Sequence, residues 1–224
     1  MNPALFSAPP SGGRRAARPG RASKAPLGAE VVLALAGHRP GERPAGDSLP
    51  SVAVLGRSNV GKSSLLNALL GVTVARVSAT PGRTQALYWY RVDGRFHLVD
   101  CPGYGYAKAS RELRETLQKL IESLLTEEPR PDLALLLVDG RLAPQESDRS
   151  MALFLSNAGV PTLVVATKWD AVKPSVRPRQ LRALTAEYEE EDVRPLLPVS
   201  SETGENLSGL VRLVRSRLEA PRSA

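Results

Sequence analysis

Cysteine is almost missing: the chain has 224 residues and a single thiol, Cys101. That excludes an internal disulfide framework and a cysteine-rich zinc site, and a reducing cytoplasm is the expected location. Histidine is equally scarce, with only His38 and His97, far apart in sequence, so a His-based metal centre is not expected. Long apolar runs are lacking too. The longest, Leu133 to Val138 and Val160 to Ala166, fall well short of the roughly 18 residues a membrane-spanning helix needs. A chain of this length buries its core without a covalent staple.

Acidic residues are absent from the first 28 positions, which carry Arg14, Arg15, Arg18, Arg21 and Lys24. Five cations of the formal net charge of +7 therefore sit there, and the rest of the chain is nearly balanced. Residues 1 to 27 are rich in Pro, Gly, Ser, Ala and Arg and are expected to be disordered, because they cannot bury enough apolar surface to offset ordering entropy. They contain no continuous apolar stretch of the kind a secretory signal has. Their Arg-rich, acid-free composition also fits an organellar transit peptide, but their prolines and glycines break any amphipathic helix. A basic segment favours contact with a polyanion such as RNA; a solvated leader is the plainer reading.

Residues 28 to 221 read as one domain of alternating strands and helices, with 222 to 224 a short end. Strands are expected at Glu30–Ala36, Ser51–Leu55, Ala86–Val92, Arg95–Val99, Leu133–Val138, Val160–Ala166 and Leu196–Val199. Helices are expected at Lys62–Leu70, Arg111–Leu125, Glu146–Asn157, Arg177–Glu190 and Asn206–Leu218, with Gly159 near a helix C-terminus and Gly71 to Thr84 a loop. Asp93-Gly94 is a strong type I′ hairpin signal. The alternation implies an α/β fold with a mostly parallel central sheet, one antiparallel strand and helices on both faces.

The strongest chemical signal is Gly56-Arg57-Ser58-Asn59-Val60-Gly61-Lys62-Ser63, a G-x-x-x-x-G-K-[ST] string between a strand and a helix. Its glycines let the backbone bend around an oxyanion, and the loop amides and helix N-terminus face phosphates. Lys62 supplies a point charge to the β- and γ-phosphates, and Ser63 a hydroxyl to Mg²⁺. Asp100-Cys101-Pro102-Gly103 ends the second hairpin strand. Its carboxylate is placed to reach Mg²⁺ through water, and the Gly103 N–H to meet a γ-phosphate. Asp139-Gly140 competes for the metal role but lacks that spacing and reads as a turn.

Thr167-Lys168-Trp169-Asp170 follows another strand. Asp170 accepts from N1–H and the 2-amino group of guanine, whereas adenine presents a lone pair and no amino group there. The Lys168 stem fits along the purine face. Val199-Ser200-Ser201 brings backbone N–H groups toward the guanine O6. In this order the motifs describe a GTP site. A P-loop ATPase or kinase is the alternative, and Asp170 opposes it.

These strings, with Thr80-Pro81-Gly82-Arg83-Thr84-Gln85 and Asp100-Cys101-Pro102-Gly103-Tyr104-Gly105-Tyr106-Ala107, resemble the EngB (YihA/YsxC) family of bacterial ribosome-assembly GTPases, within the translation-factor-related P-loop GTPases. The resemblance spans about residues 29 to 219. It implies that Thr84 joins Ser63 on Mg²⁺, that Gly82, Arg83, Thr84, Gln85 and Ala86 form a nucleotide-contacting switch, and that Lys62, Thr84 and Gly103 serve hydrolysis. It also implies work on the large ribosomal subunit precursor, its rRNA and proteins, with a link to cell division and septation. A monomer with no DNA partner is expected, and with no amphipathic anchor or lipidation motif in the sequence no membrane partner is expected either. A regulatory GTPase acting on a division or membrane-associated protein is the alternative. Two departures are mild: Trp169 fills the variable position of T-K-x-D, and Ser201 stands where many such proteins have Ala.

Ras-type enzymes place a Gln after D-x-x-G to orient water. Tyr104 is there instead, so intrinsic hydrolysis is expected to be slow. Asn59 matches the P-loop Asn that related GTPases use to hold K⁺ at the phosphates. Its plainer reading is a loop-stabilising Asn.

Overall fold

The computed structural model describes residues 27–28, 30–46, 48–74, 86–105, 110–189 and 196–219. Its elements run β1 (Val31–Gly37), β2 (Ser51–Gly56), α1 (Lys62–Leu70), β3 (Leu87–Val92), β4 (Phe96–Asp100), α2 (Arg111–Thr126), β5 (Leu133–Asp139), α3 (Glu146–Asn157), β6 (Thr162–Thr167), α4 (Arg177–Glu189), β7 (Leu196–Pro198) and α5 (Leu207–Glu219). Each lies within a few residues of its sequence expectation. The sheet order is β1-β3-β4-β2-β5-β6-β7. β3 pairs antiparallel with both β1 and β4, while β4, β2, β5, β6 and β7 are mutually parallel. β3 is thus the one strand of reversed direction.

The reversal comes from the Asp93-Gly94 turn, where both residues have positive φ (48° and 62°). That is the type I′ geometry whose twist matches the flanking strands. Asp93 also ties down the edge: its Oδ1 accepts from the Glu30 N–H at 2.8 Å, and its own N–H donates to Glu30 O at 2.9 Å.

The central strands are apolar over most of their length, and β5 is so at every position from Leu133 to Val138, because both sheet faces are covered. In β5, Leu133, Leu135 and Leu137 point to the layer that includes α1 and α5, and Ala134, Leu136 and Val138 to the layer of α2, α3 and α4. On α1, Leu65, Leu66 and Leu69 fall on one face at helical spacing and are fully buried. On α2 the same role falls to Leu117, Leu120, Ile121 and Leu124. Ser110 caps α2, its side chain accepting from the Leu113 N–H at 3.2 Å. Gly159, with φ 67°, closes the end of α3, its N–H donating to Ser156 O at 2.9 Å.

One boundary differs from the sequence reading. Leu27, assigned there to the basic tail, is 2% exposed, packs with the α1/α5 layer and donates its N–H to Leu69 O at 3.0 Å. Its side chain is large and apolar and the α1 face offers it a seat, which a composition average over the tail conceals.

Candidate nucleotide site at the C-terminal edge of the sheet

The parallel strands β2, β4, β5 and β6 end along one edge, and the loops that follow them carry the candidate residues. This is where open parallel sheets bind ligands. The β2 loop turns tightly. A side chain on Gly56 would meet Val60 Cγ1 at 2.8 Å and Leu137 O at 3.0 Å, so only glycine lets the loop lie against β5. Gly61 has φ 106°, a left-handed value that turns the chain into α1 with no side-chain cap. The amides of Asn59, Gly61, Lys62 and Ser63 donate to no acceptor among the described residues, and the helix dipole adds positive potential at the same point.

Lys62 is 7% exposed and its Nζ is paired with Asp100 Oδ1, at the end of β4. The fold thus sets the two charges expected to meet phosphate and metal side by side. Past Asp100 the chain continues β4 alongside the loop: Cys101 N–H donates to Val54 O at 3.2 Å, Tyr104 N–H to Gly56 O at 3.3 Å, and Ser58 N–H to Tyr104 O at 3.0 Å. Gly103 is therefore held over the phosphate loop. Cys101 and Pro102 are buried beneath it; burial pushes the Cys101 thiol up to about 12, so it stays protonated and inert.

At the other end, Thr167 is 1% exposed and its hydroxyl reaches both Val60 O, at 2.6 Å, and Val138 O, at 3.0 Å, joining β6 to the phosphate loop and β5. Lys168, with φ 56°, extends over the loop and donates from Nζ to Asn59 O at 2.5 Å and to Asp139 Oδ2 at 2.9 Å. Asp170 is exposed, and its Oδ1 accepts from the Ser200 hydroxyl at 2.6 Å. Ser200, fully buried, also accepts from the Glu202 and Thr203 N–H groups at 3.2 and 3.0 Å. That turn fixes its hydroxyl and, through it, the Asp170 carboxylate.

The structure divides the sequence candidates into two sets. Arg57, Ser58, Asn59, Gly61, Ser63, Lys168, Asp170 and Ser201 are exposed or half-buried along this edge. Gly56, Val60, Lys62, Ala86, Asp100, Cys101, Pro102, Gly103, Thr167, Trp169, Val199 and Ser200 are buried. The Trp169 ring is 3% exposed, packed in the core and covered by Arg177, whose guanidinium lies 5.8 Å from the ring centroid. Its part in the site is its backbone, which donates to Val199 O at 3.1 Å. The Ser200 N–H is taken by Glu205 O at 3.1 Å, and the Ser201 N–H has no backbone acceptor among the described residues. Gly82, Arg83, Thr84, Gln85, Tyr106 and Ala107 lie outside the described residues.

Sequence reasoning read Asp139 as a simple turn residue. It is instead a charged hub that accepts from Lys168 and from both the Nε and Nη2 of Arg141, at 2.9 and 2.7 Å. Burial raises its carboxyl, but these hydrogen bonds more than offset that and bring it down to about 2. Its place at the end of a strand beside β6 was the available signal. Asp148 of α3 carried no sequence signal at all; it is 2% exposed and accepts from the Tyr104 hydroxyl at 2.8 Å.

Residues 51–168 match the family described as "50S ribosome-binding GTPase". The "Probable GTP-binding protein EngB" of Thermotoga petrophila is 40% identical over 190 residues, 85% of this chain and 97% of its own. That of Limosilactobacillus fermentum is 45% identical over 156 residues, 69% of this chain and 79% of its own. Among solved structures, a "probable GTP-binding protein engB" superposes with a TM-score of 0.61 at 25% identity, covering 75% of this chain and 98% of the other. Era in complex with MgGDPNP and nucleotides 1506-1542 of 16S ribosomal RNA superposes with a TM-score of 0.63 at 26% identity, covering 79% and 59%. A mostly parallel sheet with the G-x-x-x-x-G-K-S loop between β2 and α1, together with these matches, defines a GTP-binding protein of the P-loop GTPase class. Within that class the chain belongs to the EngB family.

Proposed function

We propose that the protein is a slow GTP-hydrolysing switch that acts as a cytoplasmic monomer on the large ribosomal subunit during its assembly. The reading is carried by the convergence of three groups at one sheet edge: the phosphate loop, the Asp100–Gly103 turn bonded to it, and the Lys168–Asp170–Ser200 array. The first takes phosphates, the second senses the γ-phosphate, and the third selects guanine.

The residues present fit a Mg²⁺–nucleotide. The Ser63 hydroxyl follows Lys62 at the mouth of α1, and the Asp100 carboxylate lies beside Lys62, so a hard oxygen donor and a water-reaching carboxylate flank the phosphate position. Ser63 and Thr84 would hold the ion, with Asp100 acting through water; bound there, Mg²⁺ neutralises phosphate charge. Gly103 presents an N–H to the γ-phosphate, and Lys62 turns from Asp100 to the phosphates. Tyr104, directed to Asp148, orients no water, which supports slow turnover. Asn59 is exposed, and its side-chain amide makes no hydrogen bond among the described residues; this supports it as the residue through which K⁺ would speed hydrolysis.

The ribosomal part rests on the family description, "50S ribosome-binding GTPase", and on Era being seen with MgGDPNP and 16S rRNA. No helix among the described residues is long and apolar enough to cross a membrane. A division defect on depletion would follow from a shortage of large subunits. The test is co-sedimentation with purified large and small subunits in GDP or a non-hydrolysable GTP analogue. Retention on the large subunit with the analogue alone supports the proposal. Retention on the small subunit, or none on either, overturns the ribosomal assignment.

A further inference from the structure

Among the described residues, Asp148 is the one buried carboxylate that the site's chemistry does not use. It lies near the start of α3, 2% exposed, and its hydrogen bond from a side chain is the Tyr104 hydroxyl at 2.8 Å. A buried carboxylate is costly unless bonded, so its presence ties α3 to Tyr104. Tyr104 is the residue after Gly103. Its backbone is zipped to the phosphate loop by a parallel bridge to Arg57, with its N–H on Gly56 O and its carbonyl on the Ser58 N–H. Both ends of Tyr104 are thus held, the backbone on the loop and the hydroxyl on α3.

Beside this pair, Tyr188 of α4 is 1% exposed, and its hydroxyl has no hydrogen-bond partner among the described residues. A cavity of about 620 Å³ between α2 and α3 opens at the same place, lined by Gly103, Tyr104, Leu117, Ile121, Met151 and Phe154. The Tyr104 ring therefore has room to shift without repacking either helix.

In this arrangement Tyr104 O occupies the Ser58 N–H at the entrance to the loop. The hydroxyl bond to Asp148 opposes any movement of this turn away from Ser58. We infer that Asp148 is a positioning residue that braces the Gly103 turn against the phosphate loop through the Tyr104 hydroxyl, that the Gly103 N–H reaches a γ-phosphate only when this turn parts from Ser58, and that the brace so biases the site toward GDP over GTP. The inference rests on the reading of this cleft as the GTP site.

The test compares affinities for GDP and for a non-hydrolysable GTP analogue in the full chain. Tyr104→Phe removes one oxygen and keeps the ring. It is expected to raise the analogue-to-GDP affinity ratio about ten-fold, the scale of one hydrogen bond to a charged acceptor, with GDP affinity within about two-fold of wild type. Tyr188→Phe removes from the same cluster a buried hydroxyl that has no hydrogen-bond partner among the described residues, and is expected to leave the ratio where it was. Asp148→Asn keeps an acceptor for Tyr104 and should lie closer to wild type than Asp148→Ala. An unchanged or lowered ratio in Tyr104→Phe, an equal shift in Tyr188→Phe, or equal ratios in the two Asp148 variants would overturn the brace. Wild type that fails to bind GDP at all would overturn the reading of the cleft, and the brace with it.

Discussion

Lys168 Nζ stands 2.9 Å from Asp139 Oδ2 while it also donates to Asn59 O on the phosphate loop. The long side chain is thereby stretched from the end of β6 to the phosphate loop, held at its tip by two acceptors from two other segments. Side-chain entropy that would otherwise be lost on nucleotide binding is lost on folding instead. Asp139→Ala leaves one anchor of the two. It is expected to weaken GDP and the GTP analogue alike, by about ten-fold, since a charge-assisted hydrogen bond contributes roughly 1.5–3 kcal/mol. Single-turnover hydrolysis of bound GTP should stay at the wild-type rate. Calorimetric titration with both nucleotides decides it, and a loss confined to one of them would refute the anchoring role.

Asp170 is exposed, yet its direction is set from beneath by the Ser200 hydroxyl. Asp170→Asn replaces an acceptor pair with one acceptor and one donor, and the donor faces the guanine 2-amino group. Binding of GTP should fall by several kcal/mol, on the order of 10²-fold or more, while xanthine nucleotides, whose 2-oxo group accepts a hydrogen bond, should gain. Ser200→Ala should produce a milder loss of the same kind, because the carboxylate remains but is free to swing. Competition of GTP, XTP and ATP against a fluorescent guanine nucleotide measures all three; an Asn variant with wild-type preference would remove Asp170 from the base site.

Asp148 gives the stability a pH dependence of unusual sign. Burial raises its carboxyl to about 6, against an ordinary value of 3.8; the Tyr104 hydrogen bond and the Arg57 charge pull it down, and the Asp139 charge pushes it up. Tyr188, also pushed up by burial and by the Asp148 charge, stays neutral throughout. Between about pH 4 and 6 the folded state holds more protons at this site than the unfolded chain, so Asp148's contribution to stability falls as pH rises through that window. The difference in unfolding free energy between Asp148→Asn and wild type should therefore grow in favour of Asn by roughly 2–3 kcal/mol from pH 4 to pH 7. Urea titrations at the two pH values measure it, and a pH-independent difference would show that the carboxyl titrates normally.

What the sequence disclosed was whatever is written locally. The β5 run Leu133–Val138 is apolar at each position because both sheet faces are covered, and Asp93-Gly94 carries its φ requirement in its own two residues. The phosphate loop is equally local, with the strand, the turn and the helix contiguous. What stayed hidden were pairings that only the tertiary fold creates. Tyr104 and Asp148 are 44 positions apart, Lys168 and Asp139 29 apart, and neither carboxylate sits in a motif. Trp169 looked like a site residue by its place in T-K-x-D, but an indole is too large and apolar to leave the core once Arg177 covers it. Leu27 was hidden by its neighbours, since a tail that is basic and proline-rich on average still contributes one apolar side chain to the α1/α5 layer.

That last residue sets where the basic segment can be cut. Arg14, Arg15, Arg18, Arg21 and Lys24 precede Leu27, so removal of residues 1 to 26 takes all five cations and leaves the buried leucine in place. If the segment touches rRNA, each phosphate it neutralises adds about −0.7 (single strand) to −0.9 (duplex) to the slope of log K against log salt. Five engaged cations would contribute roughly −3.5 to −4.5, and a partly engaged segment correspondingly less. The truncated protein is therefore expected to bind large subunits more weakly at low salt and with a flatter salt dependence, the two proteins converging as salt rises. GDP affinity should be equal in both, because the phosphate loop begins at Gly56, far along the chain from the cut. Subunit binding at four or five salt concentrations gives both slopes. Parallel lines would mean that the five cations are solvated and that whatever affinity the subunit shows comes from the GTP-binding domain itself.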